Sequence, residues 1–294
     1  MTGPGVTAGW HGGPVGAVAE CVLAPNPGPM TLDGTNTWLL AAGPGDGIVV
    51  DPGPADEGHL AAVLAAAERR DVRIALILLT HGHLDHSAGA PRLRALTGAP
   101  VRALDPRHVL GGEGLQAGAR LPAGELSLEV VATPGHTADS LSYLLPEAGA
   151  LLTGDTVLGR GTTVVAHPDG RLDDYLASLQ RLQRLAVERD LRLLLPGHGP
   201  VLAGPDAPPG EVVRAYLRHR QERLAQVRAA VAAGAGSARE VVERVYADVP
   251  RVLWAAAELS VRAQLEYLAA HPGSPDAGLA AHPGSPDAGS PGGR

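Results

Sequence analysis

The chain has 294 residues, 45% hydrophobic and only 3% aromatic, with a formal net charge of −7; such a length supports one substantial α/β core plus a smaller unit. No run approaches the roughly 18 apolar residues of a membrane span and the N-terminus lacks a basic stretch followed by an apolar one, so a soluble, cytoplasmic protein is expected. Cys21 is the single cysteine, which excludes an intramolecular disulfide and a thiolate metal cluster, while the acidic surplus, concentrated before residue 210, argues against a duplex nucleic-acid binder.

In chain order, residues 18–24, 36–41, 47–51 and 73–80 read as strands, the last built on the apolar run from Ile74 to Leu79 and stopping at Thr80. A helix is expected over 55–70, with Leu60, Val63, Leu64 and Ala67 on one face. A helical stretch follows from Ala90 to Leu96, and strands recur near 100–104, 126–132, 141–145 and 149–153. An Ala/Leu/Arg-rich helix is expected over 173–189 and a late strand over 191–195. This succession predicts a layered α/β body over 1–203. Residues 204–210, rich in Pro and Gly, read as a linker. Beyond it, 211–270 is expected to form a helical accessory domain. Its first helix carries Leu217, Leu224 and Val231 at seven-residue spacing, Ser237 and Glu240 form a capping box for the second, and Pro250 suits the first turn of the third. Over 271–294 lies most of an eleven-residue unit, LAAHPGSPDAG, repeated in tandem; its composition predicts a disordered tail.

The chemistry concentrates in Thr80-His81-Gly82-His83-Leu84-Asp85-His86, directly after a buried strand. Three imidazoles and a carboxylate on one strand-to-helix loop are the donors that borderline cations such as zinc accept, and a loop at a strand's C-terminal edge can aim them at a common centre. Three further apolar strands end in a small-residue turn with one ligand-type side chain: Thr133-Pro134-Gly135-His136, Leu152-Thr153-Gly154-Asp155 and Leu195-Pro196-Gly197-His198. A single such turn is usually only a turn; three of them together with the first cluster predict a site of five histidines and two aspartates holding two metal ions, zinc first, with manganese or iron tolerated by the same donors. Two ions sharing a water lower its pKa to roughly 7 and supply a bridging hydroxide as nucleophile. Asp85 is expected to act both as ligand and in handling that water's proton, and Asp51, at the end of its own strand, to fix an imidazole or simply cap its turn.

These motifs resemble the metallo-β-lactamase superfamily across residues 20–200. The resemblance implies an αβ/βα four-layer sandwich, with His81, His83 and His136 on the first metal, Asp85, His86 and His198 on the second, and Asp155 bridging. Asn26 to Thr37, the stretch Gly159-Arg160-Gly161-Thr162-Thr163 and the helical C-terminus look like the β-lactamase-like endoribonuclease branch, which implies a winged-helix-like C-terminal domain and cleavage of single-stranded RNA. The chain departs from that branch at its end, where the tandem repeat stands in place of a terminal wing. The same segments also resemble metallo-β-lactamase-type thioesterases, so an ester or thioester substrate is the alternative; a β-lactam hydrolase or a non-enzymatic metal module fits less well. Arg214 and Arg218, with Arg220, Arg223 and Arg228 on the same helix, read either as phosphate-gripping residues or as an ordinary solvated face.

Overall fold

The computed structural model describes residues 9–272; the expected tail lies, from residue 273 onward, outside the described residues. Six strands of the first half form one sheet in sequence order: β1 (Gly13–Val15), β2 (Ala19–Leu23), β3 (Asn36–Leu40), β4 (Gly45–Val50), β5 (Val72–Leu78) and β6 (Val101–Arg102). Pairing is antiparallel as far as β4 and parallel from β4 to β6. The crossover to β5 is made by α1 (Glu57–Arg69), whose first turn is capped by Asp56 accepting from the His59 N–H at 2.7 Å. After β5 come α2 (Leu84–Ser87) and α3 (Ala90–Thr97); the latter stops at Gly98, whose φ of +75° is the left-handed cap that glycine adopts without strain.

A second sheet follows, with β7 (Arg120–Ala123), β8 (Leu126–Ala132), β9 (Leu141–Leu145), β10 (Ala150–Gly154), β11 (Leu193–Pro196) and β12 (Leu202–Ala203) in the order β12-β11-β10-β9-β8-β7. Only β10 and β11 pair in parallel, and α4 (Leu172–Glu188) makes that crossover. The period-two alternation of a strand divides the side chains between layers. Trp38, Leu40, Ile48 and Val50 face inward against Leu128, Tyr143, Leu145 and Leu152. Their neighbours Leu39 and Val49 face outward onto Leu60 and Val63 of α1, and Leu144 and Leu151 onto Tyr175, Leu179 and Leu182 of α4. With both faces covered, β9 has no exposed side and is apolar or small along its length. Burial of each of the large residues among these contributes about 1.5–3 kcal/mol. The result is the expected four-layer αβ/βα sandwich.

The C-terminal helices are α5 (Pro209–Ala232), α6 (Ala238–Val245) and α7 (Trp254–Ala270). They share a core of Val227, Val241, Val242, Trp254 and Val261. In α5, Val213, Tyr216 and Leu217 join the α4 side of the sandwich instead, so this helix belongs to two cores. Ser237 accepts from the Glu240 N–H at 3.2 Å, while the Glu240 carboxylate reaches back to the Gly236 N–H. No helix among the described residues is long and apolar enough to cross a membrane.

Three short edge strands, β1, β7 and β12, escape a pattern reading because two to four residues carry no usable period. Leu217 and Leu224 are buried as expected, but Val231 is 42% exposed, since an α-helix drifts by about 20° per seven residues and turns the third position away. The stretch expected as a linker ends inside α5, with Pro209 at its first helical position. Pro250 precedes a short 3₁₀ turn that runs into α7.

Candidate metal centre

Strands β4, β5, β8, β10 and β11 all run toward the same edge of the sandwich. Past their C-terminal ends lie Asp51, the His81–His86 loop, His136, Asp155 and His198. The seven candidate ligands meet there. The ligand atoms of His81, His83 and His136 lie within 4.8 Å of one another, as do those of His81, His86 and Asp155, and those of Asp85, His86 and His198. Asp155 stands between the two sides, with Oδ2 3.7 Å from His136 Nε2 and 3.3 Å from His198 Nε2, and Oδ1 3.5 Å from His86 Nε2.

The outer nitrogen of four imidazoles is anchored to the protein. His136 Nδ1 donates to the Val164 carbonyl at 2.7 Å and His198 Nδ1 to the Gly34 carbonyl at 3.1 Å. His86 Nδ1 donates to Asp51 Oδ2 at 2.9 Å, and His81 Nδ1 to Thr80 Oγ1 at 3.0 Å, which in turn donates to Asp51 Oδ2 at 2.6 Å. A neutral imidazole that spends its N–H outward presents a lone pair inward. Inner nitrogens then crowd together, His86 Nε2 and His198 Nε2 at 3.2 Å, His81 Nε2 and His83 Nδ1 at 3.0 Å, and His136 Nε2 and His83 Nδ1 at 3.1 Å. Asp155 Oδ1 is buried without a hydrogen-bond donor. Converging lone pairs and an orphaned carboxylate oxygen are what divalent cations satisfy, so this donor set fits a pair of metal ions.

Without a cation, the cluster can relieve itself only by sharing protons. Burial opposes charge on His86, yet Asp155 and Asp51 outweigh it and hold its pKa well above the ordinary imidazole value. His198 is held at about 9 against its own burial by Asp155 and Asp85. Burial, then the neighbouring imidazole of His86, pushes His81 well below the ordinary value, and burial lowers His136. Asp85, despite burial, is brought to about 2 by His198 and His86.

Asp51 supports both sides of the cluster. Its Oδ1 accepts from the Thr80 N–H at 2.7 Å, its Oδ2 serves His86 and Thr80, and its backbone holds a left-handed φ of +52° that costs a non-glycine residue. Gly197 is required by proximity: a Cβ there would lie 2.4 Å from Asp155 Oδ1 and 2.8 Å from His86 Cε1. Asn36 is a supporting residue that pattern reading misses, because it is an ordinary polar residue opening a strand. Its amide donates to the Pro196 and Gly199 carbonyls at 2.9 and 2.8 Å and so fixes the turn that carries His198, while its Oδ1 accepts from Trp10 Nε1 at 2.8 Å.

Beside the cluster opens a crevice of about 410 Å³. His136 and Asp155 stand at its metal end, and Met30, Leu32, Leu158, Val249, Leu253, Ala256 and Ala257 supply much of its wall. Arg214 and Arg218 are exposed and absent from this wall, Arg214 pairing with Glu211 at 2.7 Å. From the same helix, His219, Arg220 and Arg223 line the crevice instead. Arg220 is buried, donates to the Thr163 carbonyl and lies over the Tyr175 ring at 5.0 Å. His167 faces away to Glu266 of α7 at 3.1 Å.

A four-layer αβ/βα sandwich with a His/Asp cluster at its strand ends defines a class of metal-dependent hydrolases. Residues 30–198 match the family described as the metallo-beta-lactamase superfamily, and residues 237–271 match the beta-lactamase associated winged helix domain. The chain belongs to the metallo-beta-lactamase superfamily. It is 36% identical over 239 residues to the lactamase-like protein aptB of Emericella nidulans, covering 78% of this chain and 73% of that one. To a protein of Aspergillus fumigatus named atrochrysone carboxyl ACP thioesterase it is 34% identical over 248 residues, with the same shares of 78% and 73%. Its fold is similar to that of a metallo-beta-lactamase family protein from Thermus thermophilus, with a TM-score of 0.70 at 22% identity over 86% of this chain and 93% of the other.

Proposed function

We propose that the protein hydrolyses acyl thioesters. The observation that carries this reading is the largely apolar crevice opening at His136 and Asp155, a shape and lining suited to an acyl group whose reacting carbonyl lies at the metal end. The thioesterase name of the Aspergillus relative supports the same class. In this reading His81, His83 and His136 would hold one divalent ion and Asp85, His86 and His198 a second, with Asp155 placed to serve both. Zinc is the first choice for these donors, which manganese and iron also accept. Bound there, such ions supply Lewis acidity and activation of water at neutral pH.

The chain's own residues do the rest. Asp51, Val164 and Gly34 hold three of the imidazoles in the tautomer that turns a lone pair inward. Asp85 is the least buried acid of the cluster, its side chain 30% exposed against 11% for Asp155; with Thr35 Oγ1 donating to its Oδ2 at 3.4 Å, it is placed to take the proton of the attacking water and release it to solvent. The apolar wall excludes water from the acyl chain. The functional division follows the same lines, 1–203 for chemistry and the helices of 211–270 for one wall of the crevice.

Single-stranded RNA is the second reading, favoured by the match to a winged helix domain. Against it stands the wall of the crevice, where Tyr246 is the one tyrosine and neither tryptophan nor phenylalanine offers a base-stacking surface. The test is hydrolysis by metal-replete protein of acyl N-acetylcysteamine thioesters, short single-stranded RNA and a chromogenic β-lactam side by side. Thioester hydrolysis is expected to dominate; RNA cleavage with inert thioesters overturns the proposal.

A further inference from the structure

Two arginines of the crevice, Arg220 and Arg223, make no ion pair among the described residues; Arg223 spends donors on Gln226 Oε1 and the Val245 carbonyl, and Arg220 is the more buried. Arg220 is 8% exposed and has a buried Nε that meets no acceptor. Its Nη2 donates to the Thr163 carbonyl and its plane lies over Tyr175, so the guanidinium is held in place by neutral partners alone. Beside it, His219 Nδ1 is also buried without a partner. Burial, then the nearby guanidiniums of Arg220 and Arg223, lowers the His219 pKa, leaving a neutral ring able to donate one N–H. Both residues line the crevice that opens at His136 and Asp155. An unmatched buried cation with an idle N–H is costly unless an oxygen acceptor arrives to complete it. Plain hydrocarbon cannot do so.

We propose that Arg220 and His219 form a subsite for an oxygen function carried by the acyl group itself, so that the preferred substrate is a thioester of an oxo- or carboxy-acyl chain rather than of a simple fatty acid. The inference rests on the thioesterase reading and deepens it. The apolar walls take the methylenes, the metal end takes the thioester carbonyl, and the Arg220 guanidinium and His219 ring take a keto or carboxylate oxygen further along the chain. A keto oxygen and a carboxylate share this chemistry; the carboxylate gains additionally from the uncompensated charge.

Three N-acetylcysteamine thioesters of similar length separate the cases: hexanoyl, 5-oxohexanoyl and glutaryl. With metal-loaded wild-type protein, kcat/KM for one or both oxygenated probes is expected to exceed that for hexanoyl roughly tenfold or more. Preference for glutaryl alone identifies a carboxylate, and equal preference a neutral oxygen. In Arg220→Met, which keeps an unbranched apolar stem but removes the guanidinium that lies over Tyr175, the preference should collapse through KM. In His219→Leu it should shrink, with metal content and melting temperature near wild type; this variant stands in if Arg220→Met fails to fold. Equal kcat/KM for all three probes in the wild type, or a preference surviving in every folded variant, overturns the subsite. If no thioester is turned over, the thioesterase reading fails, and calorimetric binding of the same three uncleaved thioesters still decides the subsite: tighter binding of the oxygenated probes that His219→Leu weakens supports it, and indistinguishable binding overturns it.

Discussion

Four of the seven cluster residues lie within six consecutive positions, and the other three each follow a small-residue turn at a strand end. The crevice beside them draws instead on Pro29–Leu32, the loop after Asp155, one side of α5, and the segment from Tyr246 to Ser260. The cluster is made of repeated local devices, each a strand, a turn and a donor, which the parallel running of the strands brings to one edge. The crevice is made by packing between elements distant in sequence. Reaction chemistry in this molecule is therefore written locally and substrate choice is written in tertiary contacts.

The sharpest way to break this comparison is at the residue where both regions meet. Asp155→Ala removes the carboxylate shared by both sides of the cluster. Turnover is expected to fall by roughly three orders of magnitude or more, with metal content reduced and the circular dichroism spectrum preserved, because the sheets do not depend on the edge loops. Retained turnover would remove Asp155 from the shared position.

Asp51→Asn comes next. Asparagine tolerates the left-handed backbone at that position but loses the charge that holds His86 and, through Thr80, His81. Metal affinity is expected to drop roughly 10–100-fold, read by competition with a chromogenic chelator, while activity at saturating metal recovers in part. Unchanged affinity would confine Asp51 to its turn.

A pH series sharpens the electrostatic side. In metal-free protein His86 and His198 have folded-state pKa values above their unfolded one, at about 9 for His198. A raised value stabilises fully below the unfolded pKa of roughly 6.5 and is lost as pH rises through the folded value. The melting temperature of metal-free protein should therefore decline from neutral pH through about 9; the lowered His81 and His136 titrate below this window and do not contribute to it. Metal-loaded protein should show no such decline. A flat metal-free profile would mean that the aspartates do not hold protons on these rings.

The smallest effect is expected for paired replacement of Arg214 and Arg218 by alanine. Both lie off the crevice, so thioester kinetics should change less than about twofold. A raised KM for RNA with a flatter salt dependence, metal content constant, would instead revive the nucleic-acid reading.

Much of this molecule was legible in its sequence for the same reason that the cluster is local. The runs 36–41, 126–132 and 141–145 carry enough hydrophobic signal to place β3, β8 and β9 within a residue, and the four donor turns announce their own convergence. The edge strands β1, β7 and β12 were not legible, being too short for a period. Asn36 falls in the singled-out stretch from Asn26 to Thr37, but its role was not legible because its importance lies in carbonyls some 160 positions away. Choosing among the α5 arginines failed for a helical reason: Arg218 and Arg220 are two positions apart and so face different ways, and only packing against Thr163 and Tyr175 decides which one turns inward.

The dual membership of α5 bears on how such proteins exchange parts. Because Val213, Tyr216 and Leu217 are buried against the sandwich while Val227 and Ala230 are buried against the later helices, a recombination joint placed in the Pro/Gly-rich stretch before it would strip those first three residues from the sandwich's core. A joint in the turn around Gly234 and Gly236 keeps them with the sandwich and divides instead the core shared by α5, α6 and α7, and the winged helix match starts at residue 237, just beyond that turn. Shuffling at that seam would keep the reactive centre and His219, Arg220 and Arg223 while replacing the opposite wall, a route by which one catalytic body could be refitted to new substrates.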